Sequence, residues 1–177
     1  YDGDRDKLQG TFDNGATTFE LRFLARMYGA TKDEKYRDPF LKGLDHILRA
    51  QYPNGGWPQF FPPGDGYWRY ITFNDGAMAR LMFFLRDVAK DELFSFVDAD
   101  RRSACKSAWD RGVDCILKCQ VKVDGKLTVW CAQHDEVTLA PAPARKYEVV
   151  SLSGGESVDI VRFLMSIKDP SAAVVVA

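Results

Sequence analysis

Apolar residues recur at three- and four-residue spacing in five stretches of the chain, the period of a helix that buries one face. The spacing predicts a first helix over 16–28, with Phe19, Phe23 and Met27 four apart, Leu24 beside them and Gly29 as its stop. A second helix is expected to start with Asp38 as N-cap and Pro39 at the first helical position, burying Phe40, Leu41, Leu44, Ile47 and Leu48. A third covers 76–90, with Met78, Leu81, Met82, Leu85, Val88 and Ala89 inward. A fourth covers 101–119, with Ala104, Cys105, Ala108, Gly112, Cys115, Ile116 and Cys119 on one face. The fifth begins near Ser153, which has capping-box spacing to Glu156, and continues through Val158, Val161, Leu164 and Met165. The connections 51–74 and 120–153 are long and rich in Gly, Pro and aromatics, which points to ordered, functional loops.

An internal repeat organises these elements. Gly43-Leu44-Asp45-His46-Ile47-Leu48-Arg49-Ala50-Gln51 aligns with Gly112-Val113-Asp114-Cys115-Ile116-Leu117-Lys118-Cys119-Gln120, 69 residues later. Upstream, Thr11-Phe12-Asp13-Asn14-Gly15-Ala16 echoes Thr72-Phe73-Asn74-Asp75-Gly76-Ala77, and Ser151-Leu152-Ser153-Gly154-Gly155-Glu156 is a looser third copy. Each unit reads as a polar helix start, a helix, a short turn, a second helix and a long loop. One helical hairpin cannot bury its own apolar stripe, whereas three around a common axis can. The expected fold is all-α: one domain over 1–177, an irregular α/α toroid with its polar helix starts at one rim. The last hairpin is expected to be incomplete, its second helix missing or reduced to 171–177.

The chain has 177 residues, 46% apolar and 28% charged, with a net charge of -1. No basic excess suggests a nucleic-acid partner, and an anionic substrate would have to be met by a few placed cations or a bound metal. No apolar run is long enough to span a bilayer. The segment Tyr1-Asp2-Gly3-Asp4-Arg5 is polar and lacks an initiating Met. A fragment or trimmed piece is therefore the expectation, and the incomplete last hairpin points to shortening at its C-terminus.

Asp13 and Asp75 each precede a helix, where carboxylates are ordinary caps. Each also has an Asn neighbour and a following Gly, and such oxygen pairs suit calcium assembled from separate loops. Arg145, in Pro141-Ala142-Pro143-Ala144-Arg145-Lys146-Tyr147-Glu148, reads either as a surface arginine paired with Glu148 or as a site residue. Trp57, Phe60, Phe61, Tyr67, Trp68 and Tyr70 form either a sugar platform or plugs for the toroid ends. Cys115, Cys119, Cys131 and His134 leave open a structural zinc, with buried thiols as the competing reading. His134 and Asp135 also make a candidate acid/base pair.

The strings TFDNGATT (11–18), QYPNGGWPQFFP (51–62), ITFNDGAM (71–78), TVWCAQHD (128–135) after the Asp124-Gly125-Lys126 turn, and PAPARKYEVVSLSGGES (141–157) resemble polysaccharide lyase family 10, a pectate lyase family. The resemblance covers nearly all of 8–167. It implies an irregular α/α toroid and secretion, with calcium-assisted β-elimination of polygalacturonate in alkaline solution. By motif match, Arg145 corresponds to the catalytic arginine base. Asp75 corresponds to an aspartate at the calcium and substrate centre, and Asp13 to a second aspartate there. Asn14, Trp57 and Tyr147 are assigned to substrate, and a monomer is expected. One departure stands out: after SLSGGES the family continues through helices that carry further substrate-binding arginines, which have no counterpart here. The alternatives are a non-catalytic pectin-binding or decayed lyase fragment, a zinc-stabilised scaffold, and a hydrolase using Asp13 and Asp75.

Overall fold

The computed structural model describes residues 9–177, so the polar run at 1–5 lies outside the described residues. Six helices dominate: α1 (Thr18–Thr31), α2 (Glu34–Ala50), α3 (Ala77–Lys90), α4 (Ala99–Cys119), α5 (Gly154–Met165) and the short α6 (Ala172–Val176). Helices α1 and α2 pack as one hairpin, α3 and α4 as a second, and α5 lies against α3. The fold is all-α, as expected.

The two hairpins close by the same device. Gly43 of α2 and Gly112 of α4 are repeat partners, and each receives a large side chain from the first helix of its own hairpin. A Cβ on Gly43 would lie 2.5 Å from the Leu21 side chain, and one on Gly112 would lie 2.3 Å from Met82 Sδ. Leu21 and Met82 are themselves partners, each nine residues after the phenylalanine of its helix start (Phe12, Phe73). The interhelical seam, with Phe40, Leu44 and Ile47 on one side and Cys105, Ala108 and Ile116 on the other, is fully buried.

The long loops repeat as well, and they set the rim. The first places β1 (Gly10–Thr11) against β2 (Phe60–Phe61), pairing Gly10 with Phe61 and Thr11 with Phe60. The second places β3 (Ile71–Thr72) against β6 (Gln133–His134), pairing Ile71 with His134 and Thr72 with Gln133. Phe12 N–H donates to Gln59 O at 3.0 Å, and Phe73 N–H to Ala132 O at 2.9 Å. Each loop also reaches the following unit, since Thr72 N–H donates to Trp57 O (3.1 Å) and Ser153 N–H to Trp130 O (2.8 Å). Trp57 and Trp130 anchor the loops in the core, donating their indole N–H groups to Ile47 O (2.9 Å) and Ile116 O (2.7 Å). The second loop carries an added hairpin, β4 (Lys122–Val123) with β5 (Lys126–Leu127), turned by Asp124 and Gly125 at φ 50° and 77°.

Several sequence expectations are corrected. Helix α1 runs two residues later than the 16 start and passes through Gly29 to a left-handed C-cap at Lys32 (φ 56°). Its buried face is Thr18, Leu21 and Ala25, while Phe19 and Phe23 are exposed, because contact with Gly43 sets the rotation of the helix. Helix α2 starts at Glu34, capped by Asp33, whose side chain accepts from Lys35 N–H. Pro39 therefore sits inside the helix, forgoing a bond to the Lys35 carbonyl in the first turn. On α4, Ala104 faces solvent. On α5, Val158, Val161 and Met165 are exposed, and Ser157, Ile160, Phe163 and Leu164 are inward. The Ser153 hydroxyl contacts the Glu156 carboxylate rather than a helix N–H. The expected second helix of the third hairpin is represented by α6. Gln120 Nε2 donates to Ala177 O at 2.8 Å, as Gln51 Nε2 does to Ala108 O in the preceding unit.

The glycine seam generates a test. Gly112→Ala gains helix propensity of about 1 kcal/mol but overpacks Met82, for a net loss of about 1–2 kcal/mol. In Met82→Ala/Gly112→Ala that clash is gone, so urea denaturation should show the pair losing less than the sum of the singles by about 0.5–3 kcal/mol.

Candidate active site

The polar helix starts have one backbone conformation. Asn14 (φ 49°, ψ 24°) and Asp75 (φ 52°, ψ 25°) occupy the same left-handed position, followed by Gly15 and Gly76 at φ 77° and 68°. A pair of consecutive left-handed residues needs an Asn or Asp that tolerates the region and a Gly that enters it freely. The kink it makes turns the residues before each helix outward, and the two kinks lie side by side because the loops bond across them.

A cavity of about 260 Å³ opens there, lined by Asp13, Asn14, Gln59, Phe60, Tyr67, Asn74, Asp75, Arg145 and Glu148. Three segments distant in sequence therefore meet: the starts of α1 and α3 and the stretch that leads into α5. Asp13 Oδ1 accepts from Asn14 N–H (3.1 Å) and its Oδ2 from Gln59 Nε2 (3.0 Å). Asp75 Oδ2 accepts from Asn74 Nδ2 (3.0 Å). Loss of solvent, then the adjoining Asp13 carboxylate and more weakly Glu156, push the Asp75 carboxyl above its ordinary value, against a pull downward from Arg80. Arg80 also donates to the Asp75 carbonyl and lies over the Phe19 ring, 5.6 Å from its centroid.

Arg145 is the cation of the cavity, and it is engaged. Its Nε donates to Glu148 Oε2 (2.9 Å), its Nη2 to Oε1, and its backbone N–H to Oε2 (3.0 Å). This fork holds the guanidinium well above its ordinary value and the Glu148 carboxyl below its own. Arg145 is thus paired with Glu148, as one reading expected, and it also lines the cavity.

Other candidates fall outside. Trp57, assigned to substrate, is 1% exposed with its N–H bonded inside the core, so it cannot touch a ligand. Tyr147 is 87% exposed and stands outside the cavity lining, although its neighbours in sequence reach it. Of the six platform aromatics, Phe60 and Tyr67 line the cavity. His134 and Asp135 are not an acid/base pair. His134 is buried, its Nε2 accepts from Cys131 N–H (3.2 Å), and its Nδ1–H therefore donates to Leu139 O (2.9 Å). Burial pushes that imidazole below its ordinary value, while Asp135 caps a turn through Val137 and Thr138. With both nitrogens of His134 occupied and Cys115 and Cys119 buried as thiols, the zinc reading fails. Among the described residues no group of three or more His, Cys, Asp or Glu side chains is placed to hold a metal. Calcium is a different case, since it accepts carboxylates together with neutral oxygens and water. The adjacent carboxylates of Asp13 and Asp75 are the groups that could hold such an ion, while the amides of Gln59 and Asn74 turn their nitrogens toward them. Sequence reasoning missed Gln59 and took Asn74 only as the neighbour of Asp75. Asn74 was visible as the partner of Asp13 in the repeat, whereas nothing local marked Gln59.

With that rim in view, likeness to known proteins is informative. The sequence profile of the pectic acid lyase family matches residues 1–177, and the chain belongs to that family. In structure it is similar to the Family 10 polysaccharide lyase from Cellvibrio cellulosa, at 38% identity and a TM-score of 0.90. It is equally similar to a single-residue mutant of that lyase in complex with trigalacturonic acid, at 37% identity and a TM-score of 0.90. In both cases the match covers 98% of this chain and 57% of the other, so the chain spans little more than half the length of these relatives. No curated protein matches it.

The carboxylate pair gives a pH-dependent expectation. A raised folded-state value means that the native chain binds the Asp75 proton more tightly than the unfolded chain does. The contribution to stability is therefore greatest below the ordinary value of 3.8 and is lost as pH rises through the folded value. In metal-free buffer Asp75→Asn should raise the melting temperature at about pH 7 and change it far less at about pH 3, as thermal denaturation at both values would show.

Proposed function

We propose that this chain carries the reacting centre of a pectate lyase that cleaves polygalacturonate by calcium-assisted β-elimination, leaving 4,5-unsaturated oligogalacturonates. The observation that carries the proposal is the convergence of Asp13, Asp75 and Arg145 on one cavity. Family membership and the trigalacturonic acid complex of a similar lyase point to the same polymer.

The division of labour follows from chemistry. The proton on C5 of a galacturonate is weakly acidic while the neighbouring carboxylate is ionised. A calcium ion bound there would neutralise that carboxylate and the charge that builds up on proton loss. Asp75, with Asp13, would hold the ion. Asn14 and Asn74 lie beside these carboxylates at the rim, where they can donate to sugar oxygens. Phe60 and Tyr67 present faces for a sugar ring. Arg145 takes the C5 proton, the electron pair left behind forms the C4=C5 double bond, and the glycosidic oxygen departs from C4 and takes up a proton from solvent. To act as a base Arg145 has to leave Glu148, whose two oxygens favour the charged guanidinium. A positive ion nearby and alkaline solution both favour the uncharged form. Secretion, to the cell exterior or the periplasm, is part of the same proposal and is supported by the polymeric nature of the proposed substrate.

The Arg145–Glu148 fork also supports a second reading, in which Arg145 stays charged and the chain binds pectate without cleaving it. One assay separates the two. Polygalacturonate with calcium at alkaline pH should yield ultraviolet-absorbing product, abolished by a chelator, and Arg145→Ala should lower the rate by about a hundredfold or more. Retention of the polymer on the protein with no absorbing product would leave only the binding role.

A further inference from the structure

Gln59 departs from the repeat in a way that bears on the same cavity. Its counterpart in the second loop is Ala132. The backbones of the two residues do the same job, since Gln59 O accepts from Phe12 N–H and Ala132 O from Phe73 N–H. The loop thus needs no polar side chain at this position to hold the rim together. Gln59 is nonetheless 6% exposed and lines the cavity, with Nε2 donating to Asp13 Oδ2 at 3.0 Å. Its Oε1 is buried and has no donor. Turning the amide over would put that oxygen against the carboxylate, so the orientation is set by Asp13 and the unmatched acceptor is the consequence. A buried acceptor without a donor weakens a fold. A side chain kept for stability alone would be apolar, as Ala132 is. The backbone around Gln59 leaves it little freedom, because its N–H donates to Trp68 O (2.8 Å) and its carbonyl also accepts from Thr11 Oγ1 (3.2 Å).

We infer that Gln59 is a positioning residue for a divalent cation: it fixes the Asp13 carboxylate beside Asp75 in the orientation that receives the ion. A divalent cation is the ligand class that suits the arrangement, since its charge answers the two neighbouring carboxylates. The inference rests on the calcium reading of the site and adds a determinant of affinity that touches neither substrate nor reacting atoms.

Gln59→Met keeps the length of the side chain and removes both polar ends. Calorimetric titration of the metal-free chain with calcium should show about tenfold weaker binding or worse in this variant. Its melting temperature in chelator should equal or exceed that of the wild type, a combination that a purely structural glutamine would not give. Unchanged calcium affinity, or affinity lost only in step with the melting temperature, overturns the inference and leaves the proposed activity standing. If the wild type takes up no calcium, the calcium reading fails and this inference falls with it.

Discussion

Everything at the rim depends on a small set of backbone hydrogen bonds that tie each long loop to two helix starts at once. Trp57 and Trp130, fixed by their indoles to the second helix of their own unit, offer their carbonyls to the next helix start. Two residues further on, Gln59 and Ala132 offer theirs to the start of their own unit. These bonds lie in the partly dehydrated floor between helices, where a missing partner would cost about 1–3 kcal/mol. They explain how side chains more than sixty residues apart in sequence share one cavity, which helix packing alone would not ensure.

The charges placed on that frame conflict with folding. Asp13 and Asp75 crowd one another, and Glu156 from the start of α5 adds a third negative group close enough to act on Asp75. Arg80 and Arg145 supply positive charge nearby, but Arg80 is spent on the Asp75 carbonyl and Arg145 on Glu148. The carboxylates at the cavity therefore outnumber the guanidinium groups beside them. Sites where stability is given up in this way are commonly those that work on a ligand.

Much of the architecture was legible in the sequence because the repeat is written in residues whose roles are steric. Gly43 and Gly112, the Asn-Gly and Asp-Gly left-handed pairs, and Ile47 and Ile116 all recur where the backbone geometry recurs. Rotation about helix axes was less legible. A four-residue spacing fits Leu21 and Ala25 as well as Phe19 and Phe23, and only the approach of Gly43 decides between them. The Asp38-Pro39 pair looked like a helix start, yet the cap is Asp33, since a proline near the first turn forfeits a single bond. In the aromatic loop, residue type could not separate Trp57, which holds the loop down, from Phe60 and Tyr67, which face the cavity. That distinction comes from the alternation of β2 and the turn after it. Gln59 was silent for the same reason: its partner Asp13 lies 46 residues away in the chain.

The left-handed kinks at Asn14-Gly15 and Asp75-Gly76 have a wider consequence. They detach the cavity residues from the helical walls, so these residues sit on short turns and loop segments at the rim rather than on the long helices. The second loop already carries the added β4–β5 hairpin that the first lacks, so changes of loop length are compatible with this helical frame. A scaffold of this kind can alter what its rim presents by small local edits rather than by refolding.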